Sequence, residues 1–322
     1  MSNLRLFAAI LNFHKSFIMH RIMLFIGLMF VGSTSWACDV CGCAASSFSL
    51  GLLPSSNHHF IGIRSSYRTF TTNHPPLFGI TEPASSEVFT TTELMGRWKI
   101  NERFQVLGSL PYIYNLQEKV NGNRIMQGIG DPTILGNYVF VSTTDSLTKK
   151  FKQAGTFGLG VKIPVGKFDN TNINNRNMLP GTGSFDFVAN LNYSLQKGNW
   201  GYLTESSFTY KTENKFDYQF GHALTTSHLL FYRWILSENT RILPQAGLNF
   251  NHNFRDRVRR KVTDDSFNGG TLLNAQVTLA VLHKNWGFNV NYFAPLYQYL
   301  GNGYVDQKVS IRFGINYFIS KK

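Results

Sequence analysis

The sequence predicts an all-β protein, a single transmembrane antiparallel β-barrel of about twelve strands with short periplasmic turns and long extracellular loops. Three observations predict it. From Val309 to Ile319 every odd position is apolar or aromatic and the even ones are mostly small or polar, a period-two strand with one face for hydrocarbon and one for water. Charged residues make up only 15% of the chain and aromatics another 15%, where soluble chains carry roughly 25% charge. After position 37 there is no run of about 18 apolar residues, and mean hydropathy is slightly negative. That excludes a helical membrane protein and leaves one whose apolarity is interleaved.

In chain order, a leader comes first. His20 and Arg21 precede an apolar run from Ile22 to Val31, and Ser35-Trp36-Ala37 offers small residues where a signal peptidase reads. Residues 1–37 are expected to be a signal peptide cut after Ala37, with Met19 an alternative start. Residues 38–57 follow as a cysteine-containing periplasmic or plug segment, and 58–322 as the barrel. The net charge of +13 loses Arg5, Lys15 and Arg21 with the leader, so 28 basic residues face 18 acidic ones. An exported barrel does not meet nucleic acid in the usual way; lipopolysaccharide phosphates and anionic solutes are the better partners for a basic surface.

The first strand, about 59–70, sets Ile61, Ile63 and Tyr67 against Arg64 and Arg68, and a Pro-containing loop ends it. The second, about 87–100, sets Val88, Leu94, Trp98 and Ile100 against Glu93, Arg97 and Lys99, and a tight Asn101-Glu102-Arg103 turn leads to the third, where Phe104, Val106, Leu110 and Tyr112 oppose Gln105, Ser109 and Asn115. The fourth, about 131–142, is apolar on both parities. The fifth alternates Phe157, Leu159, Val161, Ile163 and Val165 with Gly158, Gly160, Lys162, Pro164 and Gly166. The sixth sets Phe185, Phe187, Leu191 and Tyr193 against Asp186, Asn190 and Asn192; the seventh sets Trp200, Tyr202, Phe208 and Tyr210 against Glu205, Ser207 and Lys211. The eighth, about 220–236, is strongly apolar and ambiguous in parity. The ninth, tenth and eleventh carry Leu248, Val277 and Val290 opposite Asn249, Gln276 and Asn289, and the twelfth is Val309 to Ile319. At about 3.3 Å per residue and a tilt of about 40°, that last strand rises roughly 27 Å, close to the apolar band of an outer-membrane barrel.

Connections after the second, sixth, eighth and tenth strands span about four residues, and those after the odd-numbered strands about ten or more, the alternation of periplasmic turns and outer loops. The connection after the fourth, at about eleven, breaks the rhythm; it is either a longer turn or a misplaced boundary. The turns Asn199-Trp200-Gly201 and Asn285-Trp286-Gly287 put two indoles at one barrel end, at headgroup level.

On these parities the lumen candidates are Arg64, Arg68, Arg97, Lys99, Lys162, Lys211 and Arg312 against Glu93, Asp186 and Glu205. An open path lined this way favours small anionic solutes; the same residues equally pair across a packed interior. Cys38, Cys41 and Cys43, spaced C-x-x-C-x-C, suit one soft ion such as Cu(I) or Zn(II), a disulfide with one thiol left over, or lipidation of Cys38. His222 and His228 share a parity, but no Ser or carboxylate at a convincing spacing makes a hydrolytic site, so no catalytic residue is assigned. The basic stretch Arg255, Arg257, Arg259, Arg260 and Lys261 reads as a solvated outer loop with lipopolysaccharide contact as its functional use.

Together Cys-Asp-Val-Cys-Gly-Cys at 38–43, Gly-Ile-Gly-Asp-Pro at 128–132, Val-Lys-Ile-Pro-Val-Gly-Lys-Phe at 161–168 and Leu-Pro-Gly-Thr-Gly-Ser at 179–184 resemble Gram-negative outer-membrane barrels of the transporter type, grouped with the phenol-degradation (MetA-pathway) family, over nearly all the mature chain. The resemblance implies the fold, a transport role and assembly by the barrel-assembly machinery, and brings no catalytic residues. The tail Ile319-Ser320-Lys321-Lys322 departs from barrels that end on the aromatic itself. The expected function is passive or weakly selective transport of small solutes across the outer membrane. The alternative is a non-conducting barrel that binds a metal ion or a protein partner through its cysteine segment.

Overall fold

The computed structural model of the protein describes residues 58–73, 84–119, 122–143, 150–169, 173–262 and 268–319. Its strands are β1 (His59–Thr72), β2 (Ser85–Lys99), β3 (Phe104–Lys119), β4 (Gly122–Ile129), β5 (Thr133–Ser142), β6 (Phe151–Lys162), β7 (Asp186–Lys197), β8 (Trp200–Lys211), β9 (Tyr218–Gln219), β10 (Ala223–Tyr232), β11 (Trp234–Ser237), β12 (Thr240–Asn253), β13 (Arg257–Val258), β14 (Lys261–Val262), β15 (Gly270–His283), β16 (Trp286–Leu300) and β17 (Val305–Ile319). Twelve antiparallel staves close into a barrel in the order β1, β2, β3, β5, β6, β7, β8, β10, β12, β15, β16, β17 and back to β1; β4 extends the β5 stave and β11 the β10 stave. β9, β13 and β14 form a small separate sheet.

Closure follows from the alternation. β1 and β17 pair along their whole length, from His59 opposite Ile319 to Thr72 opposite Val305, with one bulge after Thr69. Ile61, Ile63, Phe313, Ile315 and Tyr317 are exposed on the outer face of this pair, while Arg64, Ser66, Ser310 and Asn316 are buried. Exposed apolar and buried polar side chains are the reverse of a soluble protein, and the strands, 14 to 16 residues in β1 to β3, exceed the roughly 9 to 11 a membrane crossing requires.

Several boundaries differ from the sequence reading. The third connection is not a long loop: β3 runs on to Lys119 and pairs with β4. Gly122-Asn123-Arg124 carries no apolar signal, and of the residues after it Ile125 and Ile129 stand exposed while Met126 packs on an apolar cluster, too short a pattern for periodicity to mark. The last connection shrinks to residues 301–304, since Tyr297 to Leu300 keep pairing with β15 past the shift at Pro295. β6 starts at Phe151, which shortens the irregular fourth connection, and ends at Lys162, so Ile163 and Val165 belong to a loop. The ambiguous eighth strand resolves with Leu229 and Phe231 buried and His228 and Leu230 exposed; both its faces are apolar near the turn, which hides the period.

Candidate functional site

The barrel interior is layered. Near the loop end, Phe70, Phe89, Leu272, Leu300 and Val305 from five staves form an apolar cluster with Met178, which arrives from the loop 163–185. The described parts of that connection, 163–169 and 173–185, join β6 and β7 on the far side of the ring, so Met178 meets these staves across the barrel mouth. The Asn115 amide donates to the Met178 carbonyl at 2.9 Å, and the Arg176 guanidinium lies 4.1 Å over the Tyr218 ring. Under the loop is a cavity of about 70 Å³ lined by, among others, Arg68, Glu93, Asp131, Lys162 and Thr182.

An ionic staple holds the loop. Asp131 sits in the bulge between β4 and β5, where three residues oppose two of β3. Its Oδ1 accepts the Gly166 N–H at 2.8 Å, and its Oδ2 accepts the Thr182 N–H at 2.9 Å, the Thr182 hydroxyl at 2.9 Å and Lys162 Nζ at 2.8 Å. Lys162 also reaches Asp186 at 2.8 Å, and Ser184 donates to Asp186 at 3.0 Å. Gly166 leaves β6 and Thr182 returns toward β7, so one carboxylate ties both arms. The arms touch so closely that a Cβ at Gly181 would overlap the Gly166 carbonyl. A lysine between two buried carboxylates is sustained because each charge is paired and hydrogen-bonded. The segments 128–132, 161–168 and 179–184 thus meet in one place.

The middle layer is polar. Arg64 donates to Glu93 from Nε at 2.8 Å; Arg64, Arg68, Glu93 and Glu205 are the charges acting on Arg312, whose guanidinium stands 5.3 Å over the Phe293 ring. β17 and β8 lie nearly opposite in the ring, so this cluster bridges the interior. Toward β12, β15 and β16 the wall turns to amides: Asn249 donates to Ser227 at 2.8 Å and accepts from Asn274 at 3.3 Å, and Thr278 donates to Asn291 at 2.8 Å.

At the turn end the interior is apolar again. Phe60, Met95, Leu203, Leu229, Phe231, Leu243, Ala280 and Phe318, contributed by seven staves, form one buried cluster.

The predicted residues fall as follows. Arg64, Glu93, Arg97, Asp186, Glu205 and Lys211 are buried, and Arg68, Lys99, Lys162 and Arg312 half-buried, all on the inward parity of their strands. Arg97 donates to the His58 carbonyl at 3.0 Å and lies 5.1 Å over Phe60; Lys211 lies 5.8 Å from the Phe220 ring. Two acids were missed. Glu87, buried, accepts Thr72 at 2.9 Å and Gln117 at 3.1 Å, and its even spacing from Glu93 marks it as inward. Asp131 is hidden by the bulge, which breaks parity. Beside the three predicted acids, the inner wall thus carries Glu87 and Asp131 as further partners for the predicted bases. His228 points outward to Tyr202, at 2.6 Å. The basic stretch folds into the small outer sheet, where Arg259 and Arg260 stand exposed. The leader and Cys38, Cys41 and Cys43 lie outside the described residues.

No family model and no curated protein matches the chain. Among solved structures it is similar to an outer membrane channel from Pseudomonas putida F1, with a TM-score of 0.58 at 10% identity over 81% of this chain and 96% of that one. The translocator domain of the autotransporter NalP from Neisseria meningitidis, at 13% identity over 83% and 90%, scores 0.42, and the CymD monoaromatic hydrocarbon channel, at 9% over 88% and 95%, scores 0.37. The likeness that carries weight is the first, and it is one of fold: a closed twelve-stranded antiparallel barrel.

Proposed function

We propose that this chain is an outer-membrane channel for small solutes, exported by its leader, that favours anions and rests closed by the described arms 163–169 and 173–185 of the connection between β6 and β7. The observation that supports it most is the excess of arginine in the polar middle layer, Arg64, Arg68 and Arg312 against Glu93 and Glu205. A cationic constriction draws anions by its field, and more strongly where low-dielectric walls confine the field lines. The staple at Asp131 supports the closed resting state, because releasing the Thr182 arm breaks two hydrogen bonds to the carboxylate and one from Lys162 together, and releasing the Gly166 arm breaks one more.

Planar-bilayer recording in a potassium chloride gradient tests it. The expected result is small conductance with a reversal potential of anion sign, and larger or more frequent openings for Asp131→Asn, which weakens the hold on Lys162 at constant shape. No conductance from either protein overturns the channel reading. The apolar layers at both ends would then stand as the seals of a non-conducting barrel, and binding through Cys38, Cys41 and Cys43 would become the function to pursue.

A further inference from the structure

The apolar layer at the turn end is placed where a pore for inorganic ions has no use for it. Phe60, Leu203, Leu229, Phe231, Leu243 and Phe318 are the inward residues of their strands at that end, Leu203 and Leu243 four positions from the short turns and Phe60 and Phe318 beside the ends of β1 and β17, and all are buried. Leu203 is 0% exposed and Phe231 1%, so no water-filled bore passes beside them. The Phe60 and Phe318 rings meet edge-on at 6.2 Å. Phe231 lies so flat on the wall that a Cβ at Gly201 would overlap its ring. A hydrated ion entering this layer loses water and gains no polar partner, which is the barrier of a dewetting gate.

Guanidinium groups bracket the layer. On the loop side Arg64 is four residues from Phe60 along β1, and Arg312 six residues from Phe318 along β17. On the turn side Arg97 pairs across the sheet with Phe60, its guanidinium 5.1 Å from that ring. An anionic head therefore has a cation before the layer and another at its far edge, while the space between rewards an apolar body.

Resting on the channel reading above, we infer that the turn-end cluster is the specificity-determining septum of the channel and that its solutes are small amphipathic organic anions, one anionic group on an apolar body. The septum slows inorganic anions, which the arginines alone would pass freely, so their conductance is small but not zero. Each methylene that enters the septum offsets part of the barrier by leaving water.

The test is anion flux in liposomes holding the full chain, less that of protein-free liposomes, comparing chloride with methane-, propane- and pentanesulfonate, whose permanent charge keeps them from crossing bare lipid, in the wild type and in Phe231→Ala/Phe318→Ala. The inference expects flux to rise with chain length in the wild type, by about two- to fourfold per methylene, and the double variant to flatten the series by admitting chloride. The wild-type series is decisive alone if the variant does not fold. Chloride flux equal to or above pentanesulfonate flux in the wild type overturns the septum and leaves the channel standing. No flux of any anion, in the wild type or in Asp131→Asn, overturns the channel itself and the septum with it.

Discussion

The inner wall has two unlike halves. Around β1, β2, β6, β7 and β17 it is built from charges with fixed partners: Arg64 with Glu93, and Lys162 with Asp131 and Asp186. Around β12, β15 and β16 it is built from Asn, Gln and Thr, where Asn249, Asn251, Asn274, Gln276 and Asn291 pass hydrogen bonds among themselves. A carboxylate only accepts and a lysine only donates, so the charged half holds one geometry. A carboxamide does both, so the amide half can exchange one partner for another, or for a passing solute, at little cost. The charged half fixes the loop and the sign of the field; the amide half is a yielding surface beside it.

The contrast is sharpest at Lys162. Lys162→Met leaves Asp131 and Asp186 facing each other in a buried site and is expected to cost about 3 to 5 kcal/mol, read by denaturant unfolding in detergent micelles. A loss under about 1 kcal/mol would mean that the staple is solvated and that the two halves do not differ in kind. Next comes Asn249→Leu, which removes a donor to Ser227 and an acceptor for Asn251 and Asn274. Its expected cost is about 1 to 3 kcal/mol, with unchanged reversal potential; a cost matching that of Lys162→Met would break the comparison. The smallest stability effect belongs to Arg68→Gln, on the cavity wall, at about 1 kcal/mol. Its expected signature is instead a reversal potential moved toward zero, and a purely structural role for Arg68 would leave that potential where it was.

Much of the barrel was legible because a strand's faces are a local property. From Val309 to Ile319 alternate residues point out because the pleat has period two, whatever the partner strand. The same rule marked Arg64, Glu93, Asp186 and Glu205 as inward. It failed where both faces are apolar, at Leu229 to Leu230, and where both are exposed, along Gly122 to Arg124. It also failed at Asp131, whose bulge inserts one residue and flips the parity.

By itself, then, the sequence determined an interleaved apolarity that a closed sheet can carry, the stave count and which side of most strands faces outward, all consequences of spacing along the chain. Only the tertiary structure decided what the interior does. Asp131, Lys162 and Asp186 become one staple, and Phe60, Phe231 and Phe318 one septum, because barrel closure brings together groups that no local period relates. An inward phenylalanine becomes a seal only when the far wall supplies its neighbours.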